Sequence, residues 1–227
     1  IKRYNFLGGE SFYNKKHNEF IKKVNDSPYA KDVEVMYVSN GSLLNEDKLN
    51  DLKNFKKIKL RLSVDSIGES GVYFRYGLNW NDWCKKCKLI NEFAKEYKNF
   101  DVAFQWTCSN ISIFYLIDSY DFIREEFSDI RFLFENHVTQ PYHMSPQNLP
   151  IKIKKILKEN IESYPFEQVH LEQYPFYVKH MMEKDAWPEY GNILLNYLDD
   201  LDRVRNINWK NSFKEMELEK YDTRNLD

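Results

Sequence analysis

The stretch VEVMYVSNGSLLNEDKLNDLKNFKKIKLRLSV, residues 33–64, decides the fold of this chain. Its first and last apolar runs, residues 33–38 and 58–64, predict strands because they are rich in valine, isoleucine, leucine and aromatic residues. Residues 46–55, between the two runs, have helical spacing. A strand, a helix and a second strand predict a βαβ unit with parallel strands and a right-handed crossover.

The same alternation extends over the first 140 residues. The predicted strands are residues 1–7, 33–38, 58–64, 100–106 and 130–135, and the predicted helices are residues 12–24, 46–55, 80–97 and 113–127. This pattern predicts an α/β fold with a mostly parallel sheet, and both an open sheet and a barrel satisfy it. From Pro141 onward the pattern predicts only helices, at residues 150–164, 167–183 and 188–205, which form a helical cap.

The composition excludes some classes of protein. The 227 residues carry 33 basic and 35 acidic side chains, for a net charge of −2, so nucleic acid is not the expected main partner. No apolar stretch approaches the roughly 18 residues that span a bilayer, so no membrane partner is expected either. With no charged-then-apolar leader in the sequence, we predict a cytoplasmic protein.

The three cysteines do not form a recognisable metal motif. Cys84 and Cys87 are spaced as C-x-x-C, but both lie on the apolar face of the predicted helix 80–97. They are therefore predicted to point into the core as small apolar groups. The alternative is a metal or redox pair, but no second C-x-x-C or Cys/His pair completes such a site.

Polar residues stand at the end of every predicted strand. In parallel α/β folds the ligand binds at the carboxyl ends of the strands. We predict a binding rim there from the residues that end these strands or follow them directly, namely Glu10, Asn40, Ser63, Asp65, Thr107 and Glu135. Six of the seven glycines lie in the first three loops after strands, where glycine allows backbone N–H groups to approach a ligand. The alternative is that these are ordinary turns, which is sufficient for Gly41 and Gly77.

The expected ligand is polar and zwitterionic, because the rim has carboxylates and backbone amides but no run of bases. Neither a P-loop nor a G-x-G-x-x-G after a strand is present. A hydrolase would need a nucleophile motif, and none accompanies His137 and His143. A metal site of His137, His143 and Glu135 is a further hypothesis. The other histidines, His17, His170 and His180, are predicted to be surface or core residues.

Several stretches together resemble one enzyme family. GGE follows the first strand, SNG the second, and SVDSIGE with FRYGLNW the third. In this order they resemble the radical S-adenosylmethionine (radical SAM) enzymes, and the later stretches WTCSNISIFYL and HMSPQNLPIKIKK resemble the branch with a C-terminal twitch or SPASM-type extension. The likeness covers most of residues 1–165. It implies a partial (β/α) barrel over residues 1–140 that lacks its first strand, and a helical, twitch-like extension over residues 141–227.

The resemblance also implies a role for individual residues. Gly8, Gly9 and Glu10 would hold the amino group of S-adenosylmethionine. Ser63 and Asp65 would lie by its ribose and carboxylate, with Arg75 as a carboxylate partner and Asn40 completing the rim. Thr107 and Ile111 would lie near the adenine.

The chain departs from the family at the iron–sulfur cluster. The family binds a [4Fe–4S] cluster with a C-x3-C-x2-C loop after its first strand, and this chain has no such triplet. Because GGE ends the second strand in the family, the first strand and its loop are expected before Ile1. One hypothesis is therefore a truncated radical SAM enzyme that acts on a peptide or small metabolite and uses an external electron donor, with the cluster expected only in the full-length protein. The other is a non-catalytic module that binds S-adenosylmethionine or a peptide.

Overall fold

The computed structural model describes residues 2–167, 173–213 and 216–224, apart from the side chain of Glu135. Five strands form one sheet in the order β1-β2-β3-β4-β5, and they are Arg3–Phe6, Glu34–Ser39, Lys57–Val64, Phe100–Cys108 and Arg131–His137. β1 pairs in parallel with β2, and β2 pairs in parallel with β3. The prediction of an α/β fold with parallel strands is confirmed. A sequential strand order is also what the predicted partial barrel requires, whereas a doubly wound sheet reverses its order.

Nine α-helices accompany the sheet in the described part of the chain. Five of them lie between strands in the sequence, namely α1 (Lys15–Asn25), α2 (Glu46–Asn50), α3 (Gly68–Phe74), α4 (Trp80–Glu96) and α5 (Leu116–Glu126). After β5 the described residues form only helices, namely α6 (Ile151–Ser163), α7 (Tyr174–Glu183), α8 (Trp187–Arg205) and α9 (Trp209–Ser212), with short 3-10 turns. The predicted helical C-terminal region is therefore confirmed. None of the described helices is both long and apolar enough to cross a membrane.

Several helices differ from the sequence-based prediction. α3 was not predicted, because Gly68 and Gly71 lower its helix propensity and Ile67 provides no side-chain cap. α2 was predicted to reach residue 55 but ends at Asn50, where Asp51 forms the C-cap. The helix predicted from residue 167 begins at Tyr174 in the described chain, with Pro175 in its first turn. Residues 168–172 lie outside the described residues.

The packing divides the chain into two compact units built from interleaved segments. The first unit comprises Ile1–Val64, Gly77–Gln105 and Asp121–Leu133, and the second comprises Asp65–Tyr76, Trp106–Tyr120 and Phe134–Asp227. The domain boundary predicted at residues 140 and 141 stays a prediction.

The strands of the first unit bury one apolar face and carry charged residues at the amino ends of the other. Alternate residues such as Val35, Tyr37 and Leu60 are fully buried, as expected for the face that packs against helices. On the other face, at the amino ends of the strands, charges alternate from β1 to β5. Ion pairs join Arg3 to Glu34 at 2.6 Å, Lys57 to Asp101 at 3.5 Å and Arg131 to Asp101 at 2.5 Å. Cross-strand pairs of opposite charge stabilise this sheet register.

Candidate ligand-binding site

The GGE turn directly follows β1. Gly8 and Gly9 have φ values of +83° and +60°, in the left-handed region that side-chain-bearing residues adopt at a cost. Both glycines are exposed, and a Cβ added to either would meet no atom within 4 Å. The backbone conformation, rather than crowding, therefore requires glycine here. The turn leads into Glu10, which caps the 3-10 turn Ser11–Tyr13.

Glu10 and Asn40, two of the predicted site residues, are in contact in the first unit. The Glu10 carboxylate accepts hydrogen bonds from the Asn40 N–H at 3.0 Å and the Phe12 N–H at 3.4 Å. The Ser39 hydroxyl lies 3.0 Å from both Glu10 oxygens and itself accepts a hydrogen bond from the Gly41 N–H. The loop after β1 and the end of β2 are thus joined through one carboxylate.

This carboxylate has spare capacity for a cation. Two oxygens offer about four lone-pair positions, and only three protons reach them, because the Ser39 hydroxyl has one proton for its two contacts. All three donors are neutral. Within the described residues, Glu10 forms no ion pair with a lysine or arginine. A half-buried anion held by neutral donors is suited to accept an ammonium group from a ligand.

The loop after β2 is held in place by α4. The Trp83 indole N–H donates to the Asn40 carbonyl at 2.9 Å, and the Lys86 ammonium donates to the Ser42 carbonyl at 2.5 Å. The Asn40 side-chain oxygen accepts the Ser42 N–H at 2.8 Å. Asn40 therefore presents its backbone N–H to Glu10 and uses its side-chain oxygen to form the turn.

The second unit contains a separate pair of predicted site residues, Asp65 and Arg75. Their side chains form an ion pair at 2.8 Å. Burial raises the pKa of the Asp65 carboxyl, although the charge and hydrogen bond of Arg75 act in the opposite direction. The Arg75 Nε is buried and has no hydrogen-bond partner among the described residues. Arg75 therefore keeps an N–H that could donate to a ligand carboxylate.

Helix α8 holds α3, the helix that ends directly before Arg75. The Tyr73 hydroxyl donates to the Asp202 carboxylate at 3.0 Å, and the Arg205 guanidinium donates to the Tyr73 carbonyl at 2.9 Å. The guanidinium also lies 5.2 Å from the centre of the Tyr76 ring. Since α3 ends directly before Arg75, these contacts set where the arginine can reach.

Among the described residues, no side-chain hydrogen bond or ion pair joins Ser63, Thr107 or Ile111 to either group. Ser63 is half-buried in the first unit, on the face of β3 opposite Leu62 and Val64. In the second unit Thr107 is half-buried, and its carbonyl accepts the Ser112 hydroxyl at 2.8 Å. The Ile111 side chain is already buried, with 1% exposed. Sequence reasoning also missed Ser39, although it stands in the VSNGS strand end, and Lys48, for which the sequence offers no signal.

The cysteines do not fit an iron–sulfur cluster. Cys87 and Cys108 are fully buried, and burial raises the pKa of both thiols well above the ordinary value. Cys84 is half-buried, and burial raises its pKa as well. Clusters are bound by thiolates, so these protonated, buried thiols are poor ligands. The predicted core position of Cys87 is confirmed, whereas Cys84 is only partly covered.

The histidines occupy packed positions. The His17 Nε2 lies 3.1 Å from the Tyr37 hydroxyl, and burial lowers the pKa of His17. The His137 ring lies 4.1 Å from the His180 ring, and the His143 ring lies 4.8 Å from the Tyr197 ring. Within the described residues, no group of three or more His, Cys, Asp or Glu side chains could hold a metal ion. Glu135 of the hypothetical metal site lies outside the described side chains, as does His170.

The sequence was compared with known proteins and structures. No protein-family profile matches it, and no curated protein matches it. Among solved structures it is similar to native anSMEcpe with bound AdoMet and Cp18Cys peptide, at 19% identity and a TM-score of 0.45, over 70% of this chain and 45% of that chain. It is also similar to Streptococcus suis SuiB bound to S-adenosylmethionine, at 19% identity and a TM-score of 0.46, over 71% of this chain and 36% of that chain.

The second anSMEcpe structure, with bound AdoMet and Kp18Cys peptide, gives 19% identity and a TM-score of 0.45, over 70% of this chain and 46% of that chain. This chain thus spans less than half the length of each of these chains. A likeness at this level identifies no function.

Proposed function

We propose that this chain binds S-adenosylmethionine and that Glu10 accepts the ligand's amino group. The observation that carries the proposal is the Glu10 carboxylate, which is fixed by the N–H groups of Phe12 and Asn40 and the hydroxyl of Ser39 but forms no direct ion pair with a described lysine or arginine. A ligand ammonium would supply that counter-ion. The order of the GGE, SNG and SVDSIGE motifs supports the choice of S-adenosylmethionine among zwitterionic ligands.

The two glycines before Glu10 support the same proposal. Gly8 and Gly9 adopt the left-handed backbone conformation that turns the exposed chain from the end of β1 into Glu10. The roles of Ser63, Asp65, Arg75, Thr107 and Ile111 stay predictions. For Arg75, the free Nε donor is what supports a carboxylate-binding role.

In its full form, the proposal is that this chain is part of a radical SAM enzyme whose [4Fe–4S] cluster is bound outside these 227 residues. The cluster would supply the electron for reductive cleavage of S-adenosylmethionine to a 5′-deoxyadenosyl radical. The residues described here would bind and orient the co-substrate and would not ligate iron. A peptide or small-metabolite substrate, an external electron donor and a cytoplasmic location stay predictions.

The second candidate is a non-catalytic module that binds S-adenosylmethionine or a peptide. It is favoured by the burial that raises the pKa of Cys84, Cys87 and Cys108 and so opposes the thiolates that the family's chemistry needs. The two candidates differ in the coding sequence upstream of Ile1. An in-frame C-x3-C-x2-C there supports the enzyme, whereas a stop codon directly upstream supports the module.

Binding calorimetry with S-adenosylmethionine tests the shared part of both candidates. We expect Glu10→Gln to weaken binding about 10- to 100-fold, because a charge-assisted hydrogen bond contributes roughly 1.5–3 kcal/mol. Glu19→Gln is the matched control, since Glu19 is an exposed glutamate on α1. It should bind as the wild type does.

The melting temperature of each variant separates lost binding from lost folding. An unchanged affinity in Glu10→Gln would remove Glu10 from the amino-group site. A wild-type chain that does not bind S-adenosylmethionine would overturn the proposed function itself.

A further inference from the structure

Lys48, on α2, connects the two loops that meet at Glu10. Its ammonium donates to the Phe12 carbonyl at 3.2 Å and to the Leu43 carbonyl at 2.7 Å. Phe12 belongs to the 3-10 turn that Glu10 caps, and Leu43 belongs to the loop that follows β2. One side chain therefore binds both loops from the side of α2.

The amino-terminal cap of α2 fixes the backbone of Lys48. Asn45 is the N-cap of α2, and its side-chain oxygen accepts the Lys48 backbone N–H at 3.0 Å. The residue that receives this cap is thus the same lysine whose ammonium binds the two loops. The Lys48 ammonium also lies 5.9 Å from the centre of the Phe12 ring. These contacts fix the lysine at both ends, which limits how far the Phe12 turn can move from the loop after β2.

The Lys48 ammonium is bound by backbone carbonyls rather than by a carboxylate. Among the described residues it forms no ion pair, and its hydrogen-bond acceptors are two backbone carbonyls. Burial lowers the pKa of Lys48, and the negative charge of Glu10 works against that decrease. The charge of Glu10 thus favours the charged form of Lys48, while the ammonium itself donates to the Phe12 and Leu43 carbonyls.

We infer that Lys48 is a positioning residue for the Glu10 site. It keeps the Phe12 turn and the loop after β2 at the separation at which Glu10 can accept from both the Phe12 and the Asn40 N–H groups. Trp83 and Lys86 hold only the loop after β2, whereas Lys48, like Glu10 itself, contacts both loops. This inference rests on the proposed function, because it assumes that the Glu10 site binds an amino group.

The test compares two ligands that differ in that amino group. S-adenosylmethionine carries the amino-acid part, and 5′-methylthioadenosine has the same nucleoside without it. We expect Lys48→Met to weaken S-adenosylmethionine about tenfold, as is usual when a residue that orients a binding group is lost. Binding of 5′-methylthioadenosine should change less than about twofold, which a general loss of structure could not produce.

Two further variants complete the design. Lys48→Arg keeps a cation and N–H donors, so it should recover most of the affinity for S-adenosylmethionine. Lys53→Met is the matched control, because the one hydrogen bond of the Lys53 ammonium within the described residues goes to the half-buried Asn50 side chain at 3.2 Å, and it should leave both affinities unchanged. An equal loss for both ligands, or no loss in Lys48→Met, would overturn the positioning role.

Hydrogen exchange separates this inference from the proposed function. The Asn40 N–H, which donates to Glu10, should exchange faster in Lys48→Met than in wild type or Lys53→Met, with no ligand present. Unchanged exchange would overturn the role of Lys48 whatever the ligand. Faster exchange in a chain that binds neither ligand would instead sink the proposed function and leave the link between the loops standing.

Discussion

Asp101, at the start of β4, is the anion on which three cations of the first unit converge. Arg131 and Arg61 contact its carboxylate at 2.5 Å and 3.3 Å, and Lys57 lies 3.5 Å away. The Arg61 side chain is only 10% exposed, so it depends on this carboxylate and on the Asp101 carbonyl for its hydrogen bonds. A buried guanidinium without its anion is costly.

We expect Asp101→Asn to lower the free energy of unfolding by about 2 kcal/mol, because it leaves the charge of Arg61 uncompensated in a partly buried position. Asp129→Asn is the control, since Asp129 is 48% exposed and pairs with the exposed Lys95. Such surface pairs are worth roughly 0–1 kcal/mol. Urea denaturation of both variants measures the difference, and equal losses would contradict the importance of Arg61.

The stability difference between wild type and Asp101→Asn should also depend on pH. Burial would raise the pKa of Asp101, but the hydrogen bond from Arg131 and the charge of Arg61 outweigh it and lower the pKa. A carboxyl with a lowered folded-state pKa stabilises the protein above its unfolded value of about 3.9 and loses that contribution as pH falls through the folded pKa. The stability gap between wild type and Asp101→Asn should therefore be constant near neutral pH and shrink in acid.

At the scale of single residues, sequence reasoning identified Glu10 and Asn40 but not how they interact. The motif GGE indicated Glu10, and VSNGS indicated the end of β2. That the Asn40 backbone, rather than its side chain, contacts Glu10 depends on the register of β1 against β2, where Phe6 pairs with Tyr37. Register and loop conformation arise from packing across distant parts of the chain, and no local pattern reports them.

Helices α3 and α8 are joined in the second unit by hydrogen bonds that the sequence did not predict. The Tyr73 hydroxyl donates to Asp202, whose other oxygen accepts the Trp209 N–H at 2.7 Å. Burial, followed by the charge of Asp202, raises the pKa of Tyr73. The tyrosine therefore stays a neutral donor at any ordinary pH, and the bond to Asp202 persists.

We expect Tyr73→Phe to cost about 1 kcal/mol of unfolding free energy, the usual net contribution of one hydrogen bond. Tyr76→Phe is the matched control, because the Tyr76 hydroxyl lies 3.5 Å from its acceptor and the side chain is 60% exposed. The control should change stability by less than about 0.5 kcal/mol. Faster exchange of the Arg75 N–H, which donates to the Gly71 carbonyl, would show that α3 has loosened.

The same element shows the limit of sequence patterns. The strands and the long helices follow from apolar period, and α4 and α8 were predicted to within one residue at both ends. α3 was missed since its seven residues include two glycines, and its stability comes from α8 and from the Phe213 ring, 4.7 Å from that of Tyr73. Tertiary contacts override weak local propensity in such a short helix.

For the whole molecule, the central question is whether this chain can itself carry a cluster. Cys84 and Cys87 lie on α4 in the first unit, and Cys108 lies at the end of β4 in the second. Burial raises the pKa of all three thiols, which opposes the deprotonation that iron binding requires. The chemistry of these donors therefore opposes cluster assembly on the chain, independently of the missing motif.

We expect the purified chain, incubated anaerobically with iron and sulfide and then desalted, to show no broad cluster absorbance. A Cys84→Ser, Cys87→Ser double variant should give the same spectrum as wild type, because neither thiol is available as a thiolate. A stoichiometric cluster that disappears in the double variant would contradict the core assignment of Cys87. If no cluster forms while S-adenosylmethionine still binds, the ligand-binding role proposed for Glu10 requires no iron on this chain.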